Sequence, residues 1–199
     1  MTKTAFITGI TGMVGSHLLD YLLENTDWEI HGLLRWRSPI DNISHHVEKI
    51  NYKDRIYLHY GDITDYSSLK RIFQSIKFDI VFHLAAQSYP KTSFDSPCNT
   101  YETNVIGTEN VLKCIYEYAK NSTIHNCSSS EVFGRVPKEF VPINEETPFH
   151  PASPYAISKC SADLIGRFYA EAYNLRVLTT RMFTHTGPRR GDVFMESTF

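Results

Sequence analysis

Three glycines spaced three apart, Gly9, Gly12 and Gly15, stand between a short apolar run, Ala5-Phe6-Ile7, and a stretch from Val14 to Leu23 with apolar residues at helical spacing. A chain that places G-x-x-G-x-x-G there must turn sharply out of a strand into a helix. Glycine permits the tight turn and lets another molecule come close to the backbone, while the helix N-terminus adds the positive end of its dipole. Between a strand and a helix, this turn is a seat for a dinucleotide pyrophosphate. Gly9, Gly12, Met13, Val14 and Gly15 are therefore expected to touch such a cofactor.

The rest of the chain repeats the alternation. Apolar runs at 29–34, 55–60, 79–84, 124–128 and 176–181 read as strands. Stretches at 67–76, 103–118 and 154–173 read as helices, the first capped by Asp65 or Ser67. The pattern predicts an α/β chain, a doubly wound, Rossmann-like parallel sheet of about six or seven strands that binds its ligand at the carboxyl edge. A length of 199 residues suits one domain, 1–199, holding both cofactor and catalytic residues. The chain stops soon after Gly187-Pro188-Arg189-Arg190-Gly191, so a C-terminal substrate domain is expected to be largely absent and the chain to be the N-terminal part of a longer enzyme.

Composition narrows the partners. A net charge of -2 offers no electrostatic reason to bind nucleic acid or an anionic membrane. Cys98, Cys114, Cys127 and Cys160 show no C-x-x-C spacing and read as reduced thiols. With no signal-peptide pattern and no apolar stretch of membrane-span length, a cytoplasmic location is expected. No metal is expected either. The histidines include the pair His45-His46 but no H-E-x-x-H or Cys/His ligand spacing, and His83 and His125 fall within strands as hydrogen-bonded core groups.

At the tip of the second strand an acid would pair with the ribose hydroxyls of NAD. This chain has Arg35-Trp36-Arg37 there, and guanidinium groups suit the 2′-phosphate of NADP. Asp62, ending the third strand, could accept from the adenine amino group or start the following helix. Tyr-x-x-x-Lys occurs at Tyr66/Lys70, Tyr116/Lys120 and Tyr155/Lys159, which puts each pair on one helix face. Only the third starts a helix just after a strand has delivered Ser128-Ser129-Ser130-Glu131. There Lys159 can stabilise a tyrosinate at Tyr155, and Ser129 can hydrogen-bond the same substrate hydroxyl. Glu131 is superfluous for simple alcohol oxidation but needed if a second proton must leave and a hydroxyl be expelled.

Together the stretches 8–15, 58–65, 128–134, 153–159 and 188–191 resemble the extended short-chain dehydrogenase/reductases that act on nucleotide sugars, and most of all their GDP-mannose 4,6-dehydratase branch. The resemblance runs from Thr4 to Phe194. It implies a redox-neutral cycle. Tyr155, helped by Lys159 and Ser129, would take the 4-hydroxyl proton as hydride passes to NADP. Glu131 would remove the C5 proton, the 6-hydroxyl would leave as water, and the hydride would return to C6. The resemblance also implies cofactor contacts from Ile63, Leu84, Ala85, Ala86, Tyr155, Lys159, His185 and Arg190. Substrate contacts would come from Ser88, Ser93, Ser129, Glu131 and Thr184. The partners implied are a GDP-sugar and further copies of the chain, as a dimer or tetramer, with Arg35 and Arg37 in the loop that builds the oligomer. Thr184 stands where the family usually has asparagine, so a GDP-heptose or another GDP-hexose stays open beside GDP-mannose. A reductase or epimerase of the same superfamily would share the glycine turn, Tyr155 and Lys159 but would not need Glu131.

Overall fold

The computed structural model describes residues 2–49 and 55–194, the side chains of 47–49 excepted. Six strands, β1 (Thr4–Thr8), β2 (Glu29–Leu34), β3 (Ile56–Tyr60), β4 (Ile80–His83), β5 (Thr123–Cys127) and β6 (Arg176–Thr180), form one sheet in the order β3-β2-β1-β4-β5-β6. Every pairing is parallel. The connecting helices are α1 (Met13–Asn25), α2 (Tyr66–Ser75), α3 (Pro90–Asp95), α4 (Pro97–Tyr101), α5 (Gly107–Tyr118) and α6 (Pro154–Tyr173). A 3-10 segment at Asp41–Lys49 follows β2.

Alternation along β1 builds the two layers. Phe6 points into a cluster with Leu69 and Phe73 of α2 and Leu112 and Ile115 of α5, and its ring stacks 4.8 Å from Phe78. Ala5 and Ile7 face the other way, against Leu19 and Leu22 of α1 and the neighbouring Ile30 and Ile56. On that second face the cluster fades at the partly buried Ile80 and Phe82, and on β6 Leu178 is 58% exposed. β1 lies where the winding reverses, with β2 and β3 on one side and β4 to β6 on the other. The loops leaving β1 and β4 therefore part at the carboxyl edge and open a crevice.

The helix expected over 103–118 is regular only from Gly107: it begins in a π-helical turn, Glu102–Ile106, which joins α4 to α5. The reason is tertiary. Asn104 donates to the Gln87 carbonyl at 3.0 Å and to Ser158 Oγ at 2.8 Å, and accepts from Gln87 N at 2.8 Å. Reaching both α6 and the loop after β4 distorts the helix, and such turns mark functional sites.

The strand histidines are core groups, as expected. His83 lies between Thr8 Oγ1 at 2.9 Å and Thr108 Oγ1 at 3.0 Å, and burial lowers it to about 3. His31 Nδ1 lies 2.8 Å from His59 Nε2, and burial with that neighbour lowers it to about 4. Burial also lowers His125. In the unfolded chain these side chains protonate near pH 6.5, whereas the fold holds them neutral. The unfolded state thus gains protons first, and stability falls as pH drops below about 6.5. For the well-buried His83 and His31 the loss should approach about 1.4 kcal/mol per pH unit each. Melting temperatures should hold level from pH 8 to about 6.5 and decline from there to pH 5; a profile flat down to pH 5 would contradict this assignment.

Candidate active site

The glycine turn is a cradle that side chains would fill. Gly9 has φ +73°, and a Cβ there would sit 2.9 Å from the Ala85 backbone. At Gly15 a Cβ would lie 2.2 Å from the Gly9 carbonyl oxygen, so helix and turn are in direct backbone contact. α1 starts at Met13 behind Gly12, which supplies no side-chain cap. Its first amides therefore keep their hydrogen-bonding capacity for an anion. Gly9, Gly12, Met13, Val14 and Gly15 all line one cavity of about 1080 Å³ along the carboxyl edge. Thr8 Oγ1 accepts from Leu84 N and Ala85 N, each at 3.1 Å, and so fixes the loop after β4 that forms the opposite wall with Ala86. Apolar walls around a bare helix N-terminus fit a dinucleotide laid across the crevice.

At the β2 end, Arg35, Asp62 and Ile63 line the cavity. Ser38, whose Oγ accepts from Arg35 N at 3.1 Å, lines it too and was not singled out from sequence. Arg37 lies off the wall and exposed, because the turn after β2 aims it outward. Asp62 borders the cavity but does not start the helix: its Oδ1 accepts from Thr64 N and Oγ1 at 2.9 Å, and Asp65 caps α2 by accepting from Ser67 N.

The side chains expected from sequence to move protons come from α6 and the segment just after β5. Pro154 opens α6, and Ser153 caps it by accepting from Ala156 N at 3.0 Å. Pro at the first helical position with Ser before it fixes the start locally. Tyr155 and Lys159 follow one turn apart, facing the cavity. Lys159 is buried, and its Nζ donates to the Cys127 carbonyl at 2.6 Å. Burial lowers Lys159 and pushes Tyr155 up to about 12, which the hydrogen bond with Ser129 partly offsets.

Ser129, two residues past β5, caps a short 3-10 turn, Ser130–Phe133, by accepting from Glu131 N at 3.2 Å. The turn is braced on three sides. Gly134 closes it at φ 54°, where a Cβ would overlap the His150 carbonyl. The Val132 carbonyl accepts from His150 N at 2.9 Å. Behind it Arg181 pairs twice with the buried Asp163, at 2.9 and 3.2 Å, and lies over the Phe133 and Phe149 rings. Glu131 is thereby held in the cavity wall, with Ser153 Oγ donating to its Oε2 at 3.4 Å. Burial raises the Glu131 carboxyl above the usual range, against the lowering effect of Ser153.

Ser88, Thr184, His185 and Arg190 also line the cavity. Ser93 does not. It is fully buried, and its hydroxyl donates to the Pro90 carbonyl one turn back in α3. Sequence reading also missed Gln87, Glu102 and Thr103 on the wall, beside the bridge from Asn104 to Gln87. Among the described residues one set of three metal-type donors converges, Asp20, His45 and His46, within 4.8 Å. Its carboxylate already faces the Arg189 guanidinium at 2.6 Å, in the place a cation would take.

A family model described as GDP-mannose 4,6 dehydratase matches residues 6–199. The chain belongs to the GDP-mannose 4,6-dehydratase family. A "GDP-mannose 4,6 dehydratase" of Drosophila melanogaster is 41% identical over 97% of this chain and 50% of that protein. The chain thus spans about half the length of the curated relatives that it matches. Among solved structures, the dTDP-glucose 4,6-dehydratase DesIV of Streptomyces venezuelae, with NAD and TYD bound, superposes with a TM-score of 0.87 at 29% identity, over 98% of this chain and 60% of that one. RMD from Pseudomonas aeruginosa, complexed with NADPH, gives 0.76 at 31% identity, over 97% and 58%. In this chain the Tyr155/Lys159 pair and the Ser128–Glu131 run meet at one cavity, whereas Tyr66 and Tyr116 lie outside it. No helix among the described residues is long and apolar enough to cross a membrane.

Proposed function

We propose that this chain carries the cofactor-binding and proton-transfer half of an NADP-dependent nucleotide-sugar 4,6-dehydratase, with GDP-mannose as substrate and a 4-keto-6-deoxy sugar nucleotide as product. The observation that carries this reading is Glu131. It is a carboxylate of raised pKa in the same cavity as Tyr155, held by Ser153 from the cap of the helix that also bears Tyr155. A lone oxidation or reduction needs one proton-transfer group, while elimination of water from a sugar needs a second. When bound, the dinucleotide supplies reversible hydride chemistry. Tyr155 takes the proton of the sugar 4-hydroxyl, with Ser129 hydrogen-bonding that oxygen and the buried Lys159 cation favouring the tyrosinate. Glu131 takes the C5 proton once C4 is a ketone and passes it to the departing 6-hydroxyl, which leaves as water, and the hydride taken from C4 ends at C6.

Arg35 on the cavity wall supports NADP over NAD, since no acid occupies that strand tip. The base and sugar rest on the names of the relatives. An exposed apolar stripe on α6, Ile157, Leu164 and Phe168, supports assembly with further copies. The test is an NMR time course of protein expressed from its full reading frame, with GDP-mannose and catalytic NADP but no reductant. A 6-deoxy methyl doublet without net NADPH is expected. An unchanged spectrum with cofactor bound would overturn the GDP-mannose assignment.

A further inference from the structure

Asp20, on the outer face of α1, makes contacts that the proton-transfer machinery does not use. Its Oδ1 accepts from His45 Nε2 at 2.9 Å and from His46 Nε2 at 2.6 Å, both on the 3-10 segment after β2. Its Oδ2 lies 2.6 Å from Arg189 Nη1, a charge pair without an aligned N–H. Burial opposes ionisation of Asp20, yet the two histidines and Arg189 override it and hold the carboxyl down at about 2. The same three elements meet twice more. His17 Nε2, one turn earlier on α1, lies 3.2 Å from the Pro188 carbonyl. Asn42 donates to the Thr11 carbonyl in the glycine turn at 2.9 Å and to the Arg189 carbonyl at 3.1 Å.

These contacts explain a strained residue. Arg189 has φ 68°, a left-handed conformation that costs a non-glycine residue energy and persists only where its surroundings impose it. Three side chains from two other elements, Asp20, His17 and Asn42, impose it here. The segment they hold carries Arg189 and Arg190 along the cavity beside the glycine cradle. No neighbour in sequence could do this, because the partners lie far apart in the chain.

We propose that Asp20 is a positioning residue for the dinucleotide: through Arg189, and backed by His45 and His46, it latches the 188–190 segment across the phosphate cradle. The inference rests on the dinucleotide reading of the cavity. Asp20 touches neither cofactor nor substrate. It fixes the backbone that brings Arg190 to the wall, and it neutralises Arg189 so that this guanidinium stays on the latch. The pair is only partly buried, so its loss should open the segment without unfolding the protein. Affinity for a ligand that needs the closed form falls by the closed fraction lost.

The test uses Asp20→Asn, which keeps the shape and an acceptor for the histidines but removes the charge that holds Arg189, and Asp20→Glu, which restores that charge. Hydrogen–deuterium exchange without cofactor should show faster exchange at Arg189 to Gly191 in Asp20→Asn, at an unchanged melting temperature. NADPH titrated by its fluorescence should then bind about five- to tenfold more weakly, a loss of the order of one partly exposed ion pair. Asp20→Glu should recover most of both. Unchanged exchange in Asp20→Asn would overturn the latch. Faster exchange with unaltered NADPH affinity would overturn its role in cofactor binding. If the wild-type protein binds no dinucleotide, the reading beneath the inference fails, and the exchange data tell that failure apart from failure of the latch.

Discussion

Tyr155→Phe is expected to lower kcat by about a thousandfold while leaving NADPH affinity and melting temperature nearly unchanged. The substitution removes one oxygen from a ring that is 9% exposed and already packed in the wall of the cavity, so the fold has little reason to respond. Its hydrogen-bond partner Ser129 also accepts from Glu131 N and keeps that bond. What disappears is the group that can take the hydroxyl proton. Phenylalanine offers no substitute, and Lys159 is committed to the Cys127 carbonyl at the back of the site. The other Tyr-x-x-x-Lys pairs supply the control. Tyr66 donates to Glu117 and lies under Lys113, and Tyr116 lies under Lys120 on the surface of α5. Tyr116→Phe should leave turnover intact. Steady-state kinetics of the two variants side by side check this, and a Tyr155→Phe enzyme of near-normal kcat would remove Tyr155 from the chemistry.

What was legible in the sequence is what local chemistry determines. The glycine turn could be read because G-x-x-G-x-x-G has few other uses between a strand and a helix. The start of α6 could be read because Ser153 caps it and Pro154 fixes its first residue. Six strands were recovered nearly residue for residue, since parallel strands covered by helices stand out as short apolar runs. The failures arose where distant residues decide. The π-turn at Glu102–Ile106 exists because Asn104 reaches Gln87 and Ser158, and nothing in residues 97–118 announces that. Ser93 looked available, but a hydroxyl within a helix can turn back on a carbonyl three residues earlier, as it does on Pro90. Arg35 and Arg37 are alike in sequence, yet the turn after β2 sends only Arg35 to the wall. The Asp20 latch joins residues from opposite ends of the chain and has no local pattern at all.

Glu131→Gln should separate the two proton transfers. Glutamine matches the carboxylate in shape and keeps an oxygen for Ser153, so the braced 3-10 turn should persist. The amide cannot take a proton at neutral pH. If Tyr155 serves the first transfer and Glu131 the second, the variant should still oxidise the sugar and stop there. NADPH absorbance would rise toward one equivalent per site and stay, and the methyl doublet would fall in rate by about a thousandfold. In deuterated water the wild-type protein should place deuterium at C5, and the variant should not. A reductase or 4-epimerase would behave differently, since neither removes a C5 proton and turnover would survive the substitution. Equal loss of both half-reactions would instead place Glu131 at the first transfer. The raised pKa of Glu131 agrees with the later role: a carboxyl destabilised as an anion by burial is a stronger base than one in water, and the proposed second transfer, from a carbon acidified by the neighbouring ketone, calls for such a base.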